Sequence, residues 1–349
     1  MLSARFNKHT LIFKQPGGTS RGPLYTKDSW YITISRHDHP ERFGMGECSL
    51  IQGLSPDNID LFKNELKTLC ERINEYPEWV ERRGALFPAI RFGLETALHD
   101  LAEGGNCFFG ETDFTLGITG IPTNGLVWMG DATFMKKQIK QKLDAGFSCI
   151  KMKVGAIDFD EELEILSSVR KEFSKNQLEI RLDANGAFTM QQVFEKLKRL
   201  SDLEIHSIEQ PIKPKQVDDL AHICRKSPIP IAIDEELIGV AEENIAQLLN
   251  RTKPDYIILK PSLLGGLHMA KKWIQHAESN HIGWWITSAL ESNIGLNAIA
   301  QWTFKNGNQL TQGLGTGQLF TNNIPSPLEM HQGRLFYNPA LQWKKQLPD

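Results

Sequence analysis

Glu179-Ile-Arg-Leu-Asp-Ala-Asn-Gly186 is the stretch around which the rest of the sequence is organised. Apolar Ile180 and Leu182 alternate with charged Arg181 and Asp183, which predicts a short β-strand with both charged side chains on one face. The Asn-Gly pair then breaks the strand before a helical pattern begins. Taken alone, such a sequence is more often a turn than a metal site.

The same arrangement recurs along the chain. Five strand-like runs end at charged residues, at intervals of 30, 26, 25 and 26 residues: Lys153, Asp183, Glu209, Asp234 and Lys260. Each interval has room for one helix and two loops. In all, eight strands alternate with helices, which favours a parallel β/α barrel over a doubly wound sheet. The eighth strand, Leu310 to Leu314, has the weakest pattern. No Gly-x-Gly-x-x-Gly follows the first strand, so a dinucleotide-binding fold is not expected.

The segments on either side of this alternation have a different pattern. Residues 1–108 combine strand-like runs with two helical patterns, and we expect them to form an α+β capping domain. A glycine-rich stretch follows and predicts a boundary, so the barrel is assigned to residues 122–320. The segment 321–349 is expected to return to the capping domain.

Composition argues against several classes of partner. The chain has 349 residues, 40% of them hydrophobic, and a formal net charge of -3. This charge provides no basic field for nucleic acid or an anionic membrane, and no apolar run approaches the ~20 residues that span a bilayer. The five cysteines are scattered, which predicts free thiols in a reducing, cytoplasmic setting. The expected partner is a charged small molecule.

The acidic strand ends predict a metal site, because active sites of β/α barrels lie at the C-terminal ends of their strands. Asp183, Glu209 and Asp234 offer only oxygen ligands, which suit Mg²⁺, with Mn²⁺ as the alternative ion. No Cys/His cluster predicts zinc. For Glu209 or Asp234 alone, capping of the next helix is an equally good interpretation. The recurrence of all three at one position favours the metal.

Three lysines flank these carboxylates. Lys151 and Lys153 point the same way from one strand, and Lys260 ends another. A Lys-x-Lys pair is usually a solvated face, but inside a barrel it needs carboxylate partners. Such a set suits removal of a proton from carbon next to a carboxylate. Lys153 would be the base, Lys151 and the metal would lower its pKa, and the metal would stabilise the enediolate.

Five short motifs carry a resemblance to a known family: Lys-Met-Lys at 151–153, Asp183-Ala-Asn, Glu209-Gln-Pro, Asp234-Glu and Lys260-Pro-Ser. In their order and spacing the chain resembles the enolase superfamily, in its muconate lactonizing enzyme subgroup. The resemblance implies a modified (β/α)7β TIM-like barrel under an α+β capping domain. It implies that the three carboxylates bind Mg²⁺ and that Lys153 and Lys260 are opposed acid/base groups.

The same resemblance implies supporting roles for other residues. Asn185 and Glu235 lie in the second layer of the site, and Glu235 is expected to hold Lys260 in place. Two loops of the capping domain, near Gly17 to Arg21 and near Ile51 to Ser55, are expected to close over the substrate.

Two further features resemble one branch of that subgroup, a dehydratase of menaquinone biosynthesis whose product is an aromatic succinylbenzoate. They are Arg181, two residues before the metal Asp, and Ser288-Ala-Leu-Glu-Ser-Asn-Ile-Gly295. This resemblance implies that Arg181, Ser288, Glu291 and Ser292 bind substrate. Backbone amides of residues 288–292, before a helix, would suit a carboxylate. Lys153 would take the proton and protonate the leaving hydroxyl, while Lys260 offers its charge.

Other activities remain as alternatives. An N-succinylamino acid racemase would use the same lysines and carboxylates. A dipeptide epimerase is disfavoured, because the last barrel strand reads Gly-Leu-Gly-Thr-Gly rather than carrying an Asp-x-Asp. A non-catalytic barrel is also disfavoured, because none of the ligands or lysines is missing. The sequence does not predict the oligomeric state.

Overall fold

A three-stranded antiparallel sheet and three helices form the N-terminal part of the computed structural model, which describes residues 1–19 and 22–343. A short 3₁₀ turn, Ile73–Glu75, precedes the second helix. The strands and helices are β1 (Leu2–Thr19), β2 (Gly22–Arg36), β3 (His39–Ser49), α1 (Ile59–Glu71), α2 (Tyr76–Arg83) and α3 (Pro88–Ala102). The hairpin of β1 and β2 is much longer than the sequence pattern predicted.

Strand β3 lies directly on helix α3 because glycines allow the two backbones to meet. A Cβ atom at Gly46 would lie 1.9 Å from the carbonyl oxygen of Gly93, so no other residue fits there without movement. Apolar side chains from the sheet and from helices α1 and α3 fill the space around this contact, among them Ile32, Ile34, Phe62, Leu66 and Leu94. The capping domain therefore has its own core.

The second part of the molecule begins with a two-residue strand, β4 (Ile121–Pro122), followed by seven parallel strands that form one curled sheet in sequence order. These strands are β5 (Gly125–Val127), β6 (Cys149–Lys153), β7 (Glu179–Asp183), β8 (Ser207–Glu209), β9 (Ile231–Ile233), β10 (Tyr256–Leu259) and β11 (Gly283–Ile286). The predicted fold class, a (β/α)7β-type barrel with an α+β capping domain, is confirmed.

Helices connect successive strands, as the parallel pairing requires. They are α4 (Ala132–Asp144), α5 (Phe159–Glu172), α6 (Val193–Ser201), α7 (Val217–Lys226), α8 (Ile245–Thr252), the one-turn α9 (Pro261–Leu264), α10 (Gly266–Ser279) and α11 (Asn293–Asn306). Two 3₁₀ turns, Glu235–Leu237 and Glu242–Asn244, lie between β9 and α8. Within the described residues, none of the helices has the length and apolar character needed to cross a membrane.

The eighth strand predicted at Leu310 to Leu314 is not formed. Among the described residues, its strand pairing is limited to two isolated parallel bridges, between Gln312 and Thr123 and between Gly313 and Thr287. A Cβ at residue 313 would lie 2.2 Å from the Thr287 hydroxyl, so a strand-favouring side chain has no room. The amide of Gln312 instead accepts a hydrogen bond from the Ile286 N–H at 2.8 Å.

The C-terminal segment contacts both parts of the molecule. The Thr321 N–H donates to the Ile12 carbonyl of β1 at 2.8 Å, so the chain first contacts the N-terminal sheet. It then forms a hairpin that pairs with β4, made of β12 (Leu328–His331) and β13 (Arg334–Tyr337). Residues 344–349 of this predicted segment lie outside the described residues. The domain division at residues 1–108 and 122–320 stays a prediction.

Candidate active site

The register of the parallel strands places the charged strand ends side by side. Lys153 of β6 lies opposite Asp183 of β7, and Asp183 lies opposite Glu209 of β8. Asp234 directly follows β9, and Lys260 directly follows β10. All five residues therefore lie at the C-terminal edge of the sheet, where β/α barrels build their active sites.

Two lysines of β6 bind the carboxylate of Asp183. The Lys151 Nζ lies 2.9 Å from Asp183 Oδ2 and 2.5 Å from Glu209 Oε2, so it stands between two carboxylates. The Lys153 Nζ lies 3.1 Å from the same Asp183 oxygen and 2.5 Å from Asn185 Oδ1. The structure thus gives both ammonium groups the carboxylate partners that their burial requires.

The third lysine is bound on the other side of the carboxylates. The Lys260 ammonium forms an ion pair with Asp234. Glu235, predicted to hold Lys260, instead accepts a hydrogen bond from Asn185 Nδ2 at 2.9 Å. Its influence on Lys260 is electrostatic. Burial lowers the pKa of Lys260, but Asp234, Glu209 and Glu235 together raise it above its ordinary value.

The buried charges shift one another's pKa values in opposite directions. Burial opposes ionisation of Asp183, yet Lys151, Lys153 and Lys260 hold the pKa of that carboxyl well below its usual range. Burial and the neighbouring Asp183 raise the pKa of Glu209, and Lys151 does not offset the shift. The carboxyl group of Glu209 therefore lacks enough nearby positive charge to offset its burial and the charge of Asp183.

The site residues fit a divalent cation by their chemistry. Glu209 Oε1 is buried and has no hydrogen-bond partner among the described residues. Within residues 1–19 and 22–343, no three His, Cys, Asp or Glu side chains form a group spaced for a metal ion. The carboxylates of Glu209 and Asp234 instead contact the ammonium groups of Lys151 and Lys260. A partnerless carboxylate oxygen among all-oxygen donors is suited to a hard ion such as Mg²⁺.

A cavity opens beside the lysines, and its lining side chains form a charged set and an apolar set, termed the charged wall and the apolar wall. The charged wall consists of Lys151, Lys153, Asp183, Asn185, Glu235 and Lys260. The apolar wall consists of Leu24, Ile51, Leu54, Leu126 and Trp128. Glu209 and Asp234 lie behind the charged wall, in contact with Lys151 and Lys260. Such a cavity suits an apolar ring that carries a carboxylate at one end.

The two predicted capping loops lie at this cavity. Ile51, Gln52 and Leu54 of the second loop line it directly. In the first loop, a Cβ at Gly17 would lie 3.4 Å from the Trp128 ring, so the hairpin backbone closely approaches the apolar wall. Residues 20 and 21 of that loop lie outside the described residues.

Arg181 lies deeper in the barrel than the predicted substrate-binding role requires. Its side chain is almost fully buried, and its guanidinium lies 4.1 Å from the centre of the Trp285 ring. Its Nε donates to Glu179 at 2.6 Å, and its Nη1 donates to the Thr311 carbonyl at 2.8 Å. Two residues of a strand span about 6.6 Å, so Arg181 lies about that far below Asp183, which is at the C-terminal end of the strand. The structure shows an interior packing position, not a cavity wall.

Three of the five predicted carboxylate-binding amides at residues 288–292 already have partners inside the protein. The N–H groups of Ser288, Ala289 and Ser292 donate to Gly313, Glu291 and Glu47 at 3.1, 2.7 and 2.9 Å. Glu291 and Ser292 are fully buried, whereas Ser288 lines the cavity. Of the predicted substrate contacts in this segment, Ser288 alone is placed to touch a ligand among the described residues.

Several residues at the cavity were not predicted from the sequence. Asn124, Trp128 and Thr316 line it. Trp128 directly follows strand β5, so the rule that strand ends build the site could have identified it. Glu47 was also missed. Its partner Ser292 lies 245 residues away in sequence, and no local pattern signals such a contact.

Comparisons with known proteins agree with this geometry. The family model described as enolase C-terminal domain-like matches residues 135–339. The o-succinylbenzoate synthase of Desulfotalea psychrophila is 47% identical, over 95% of this chain and 97% of that protein. The crystal structure of MenC from Desulfotalea psychrophila has a TM-score of 0.85 at 43% identity, covering 96% of this chain and 99% of that chain.

A more distant structure supports the fold alone. The dipeptide epimerase from Enterococcus faecalis, solved with Mg and the dipeptide L-Leu-L-Tyr, is 18% identical with a TM-score of 0.81, covering 96% of each chain. The family match and the near-complete 47% identity agree on the relationship. The chain therefore belongs to the enolase superfamily, and within it to the family of the o-succinylbenzoate synthases.

Proposed function

We propose that this protein is a carbon–oxygen lyase that dehydrates 2-succinyl-6-hydroxy-2,4-cyclohexadiene-1-carboxylate to o-succinylbenzoate in menaquinone biosynthesis. The observation that carries the proposal is the 47% identity to an o-succinylbenzoate synthase over nearly the whole chain. The two lysines on either side of three carboxylates supply the chemistry that this reaction needs. The predicted cytoplasmic location and small-molecule carboxylate substrate belong to the same proposal.

The cavity walls suit this substrate. Its cyclohexadiene ring packs against Leu54, Leu126 and Trp128, which bury apolar surface. Its ring carboxylate faces the charged wall, where Lys153 and Lys260 line the cavity. The hydroxyl of Ser288 accepts a hydrogen bond from Thr316 at 2.8 Å and donates to Glu291 at 2.6 Å, so it presents a fixed polar group beside the ring.

Asp183, Glu209 and Asp234 are the residues that would hold magnesium, which the related dipeptide epimerase structure contains. When bound, the ion supplies positive charge that stabilises the enediolate formed by loss of the α-proton. The remaining work is done by the protein's own side chains. Asn185 and Asp183 fix the Lys153 Nζ in the cavity at 2.5 and 3.1 Å.

Lys153 acts on one face of the substrate in two steps. Its neutral amine takes the proton from the carbon next to the ring carboxylate, and the electron pair of that C–H bond moves into the enediolate. The resulting ammonium then gives the proton to the hydroxyl at C6, which leaves as water while the ring becomes aromatic. The same nitrogen is thus regenerated as a neutral amine. Lys260 contributes a fixed positive charge.

Because Lys260 acts through its charge, replacing it with another cation tests the division of roles. We expect Lys260→Arg to keep measurable dehydratase activity, and Lys260→Ala to lower kcat much further. An arginine has a pKa above ~12 and is a very poor proton donor or acceptor, so a reaction that needs proton transfer at this position would stop in both variants. Steady-state kinetics followed by loss of diene absorbance measures this. Equal inactivation by the two substitutions would contradict the electrostatic role.

A further inference from the structure

Glu47 of strand β3 connects the capping domain to the barrel beside the cavity. It is fully buried, and both of its oxygens are saturated by hydrogen bonds. Oε1 accepts from the Ser29 hydroxyl at 2.6 Å and from the Ser292 N–H at 2.9 Å. Oε2 accepts from the Ser292 hydroxyl at 2.6 Å and from the Gly295 N–H at 2.9 Å. Three of its four donors therefore belong to the barrel.

These barrel donors lie at the start of helix α11. Ser292 is the residue that caps this helix, and Gly295 lies in its first turn. The first N–H groups of a helix lack partners within the helix, and its N-terminus carries a partial positive charge. A buried carboxylate from another domain satisfies both needs at once. Glu47 thus fixes the position at which α11 begins.

The segment that leads into this helix forms part of the cavity wall. Ser288, Ala289 and Leu290 line the cavity. Leu290 has a φ of 62°, in the left-handed region that residues other than glycine adopt only under strain. Such a conformation persists only when the surrounding structure holds it. Glu47 holds the C-terminal end at Ser292, and Glu291 holds the N-terminal end through Ser288 and Ala289.

A buried lysine feels the charges of both carboxylates. Lys27 of β2 is 5% exposed, and its ammonium donates to the Ser49 hydroxyl. Burial lowers the pKa of Lys27, and the nearby charges of Glu47 and Glu291 oppose that shift. Buried charges are costly unless they are compensated, so a lysine near Glu47 and Glu291 reduces the cost of burying their negative charge.

We propose that Glu47 is a positioning residue of the reaction, which fixes residues 288–292 in the shape that forms the substrate-binding wall. It acts from the capping domain and contacts neither Lys153 nor Asp183, whose strands β6 and β7 lie elsewhere in the barrel. The proposal rests on the dehydratase function proposed above. It assigns Glu47 to substrate affinity and leaves proton transfer to the lysines.

A second glutamate offers a matched control. Glu95 of helix α3 is also a capping-domain residue that binds the N-terminus of a barrel helix. Its Oε2 accepts from the His268 N–H, in the first turn of α10, at 3.1 Å, and its Oε1 accepts from Arg91 at 2.9 Å. Neither Glu95 nor His268 lines the cavity among the described residues. Glu47→Gln and Glu95→Gln therefore remove the same kind of contact, with and without a connection to the substrate-binding wall.

The experiment compares steady-state kinetics of both variants on the diene substrate. We expect Glu47→Gln to raise KM by about 10- to 100-fold, the range for loss of buried charge-assisted hydrogen bonds, with kcat within about threefold of wild type. Glu95→Gln should leave both constants near their wild-type values. A thermal melt of each variant shows whether they lose similar stability. In a double-mutant cycle, Ser292→Ala should add little to the KM of Glu47→Gln, because both changes act through one contact.

Three outcomes would overturn the proposal: equal KM changes in the two glutamine variants, a fall in kcat at unchanged KM in Glu47→Gln, or additive effects in the cycle. If Glu47→Gln does not fold, Ser29→Ala replaces it, since it removes one donor to Glu47 within the capping domain. Its KM should then rise and its kcat should not change, and an unchanged KM would count against the proposal. Wild-type protein without turnover of the diene would refute the proposed function itself.

Discussion

Lys153→Ala is expected to lower kcat for dehydration by at least the ~10²- to 10⁴-fold typical of a lost general base. Lys153 lies at the end of β6 and lines the cavity. Asp183 and Asn185 hold its nitrogen at 3.1 and 2.5 Å. No other described residue occupies that position between carboxylate and cavity, so water would have to replace the base. The measurement is kcat under saturating substrate, with product binding measured separately by calorimetry.

The matched control applies one substitution to both lysines. Lys153→Arg keeps the positive charge but provides no usable base, so it should be as inactive as Lys153→Ala. The same change at Lys260 should preserve part of the activity. Lys151→Ala should also weaken activity, because Lys151 binds both Asp183 and Glu209. Near wild-type turnover by a Lys153→Ala protein that still binds product would show that another group is the base.

Asp183→Asn is expected to fold and yet to lose Mg²⁺-dependent turnover. The substitution removes one negative charge and one anionic oxygen from a site of hard oxygen donors. We expect Mg²⁺ affinity to fall by more than the ~10- to 100-fold that loss of a merely supporting residue costs. Because Asp183 also holds Lys153, activity alone does not separate the two roles. Isothermal titration with Mg²⁺, and with Mn²⁺ as the alternative ion, measures metal binding directly.

Glu236→Gln provides the control for removal of a buried negative charge near the site. Glu236 follows Asp234 by two residues, is 7% exposed, and accepts hydrogen bonds from the Lys215 N–H at 3.0 and 3.1 Å. The Glu236→Gln substitution should leave Mg²⁺ affinity unchanged. Full activity of the wild-type protein after exhaustive chelation would refute the metal dependence.

The sequence predicts the fold well wherever local periodicity decides it. Strand β6 spans Cys149–Lys153 as its alternating pattern predicts, and β7 begins one residue before the predicted Ile180. The predicted eighth strand is reduced to two bridge residues, because the side chain of Gln312 binds the Ile286 N–H and Gly313 packs on Thr287. Ile286 ends strand β11 and Thr287 follows it, so a pattern of apolar residues within the segment 310–314 does not show these contacts.

The sequence also predicts which charged side chains form the site. Charged strand ends indicate which side chains meet, and the contacts of Lys151 with Asp183 and Glu209 follow from parallel register. Depth along a strand is harder to predict. Arg181 shares a face with Asp183, but Trp285 and Thr311 hold its side chain in the interior. The sequence suggests that the amides of residues 288–292 bind an anion. The structure shows that the Ser292 amide donates to Glu47, which lies in the other domain.

The most direct test of the central claim compares two activities of the purified protein. We measure kcat/KM for dehydration of 2-succinyl-6-hydroxy-2,4-cyclohexadiene-1-carboxylate by loss of diene absorbance, and kcat/KM for racemisation of N-succinylamino acids by polarimetry. Both reactions use the same carboxylates, but racemisation also needs proton transfer at Lys260. We predict efficient dehydration with little or no racemisation. A racemase kcat/KM equal to or above the dehydratase value would contradict the account.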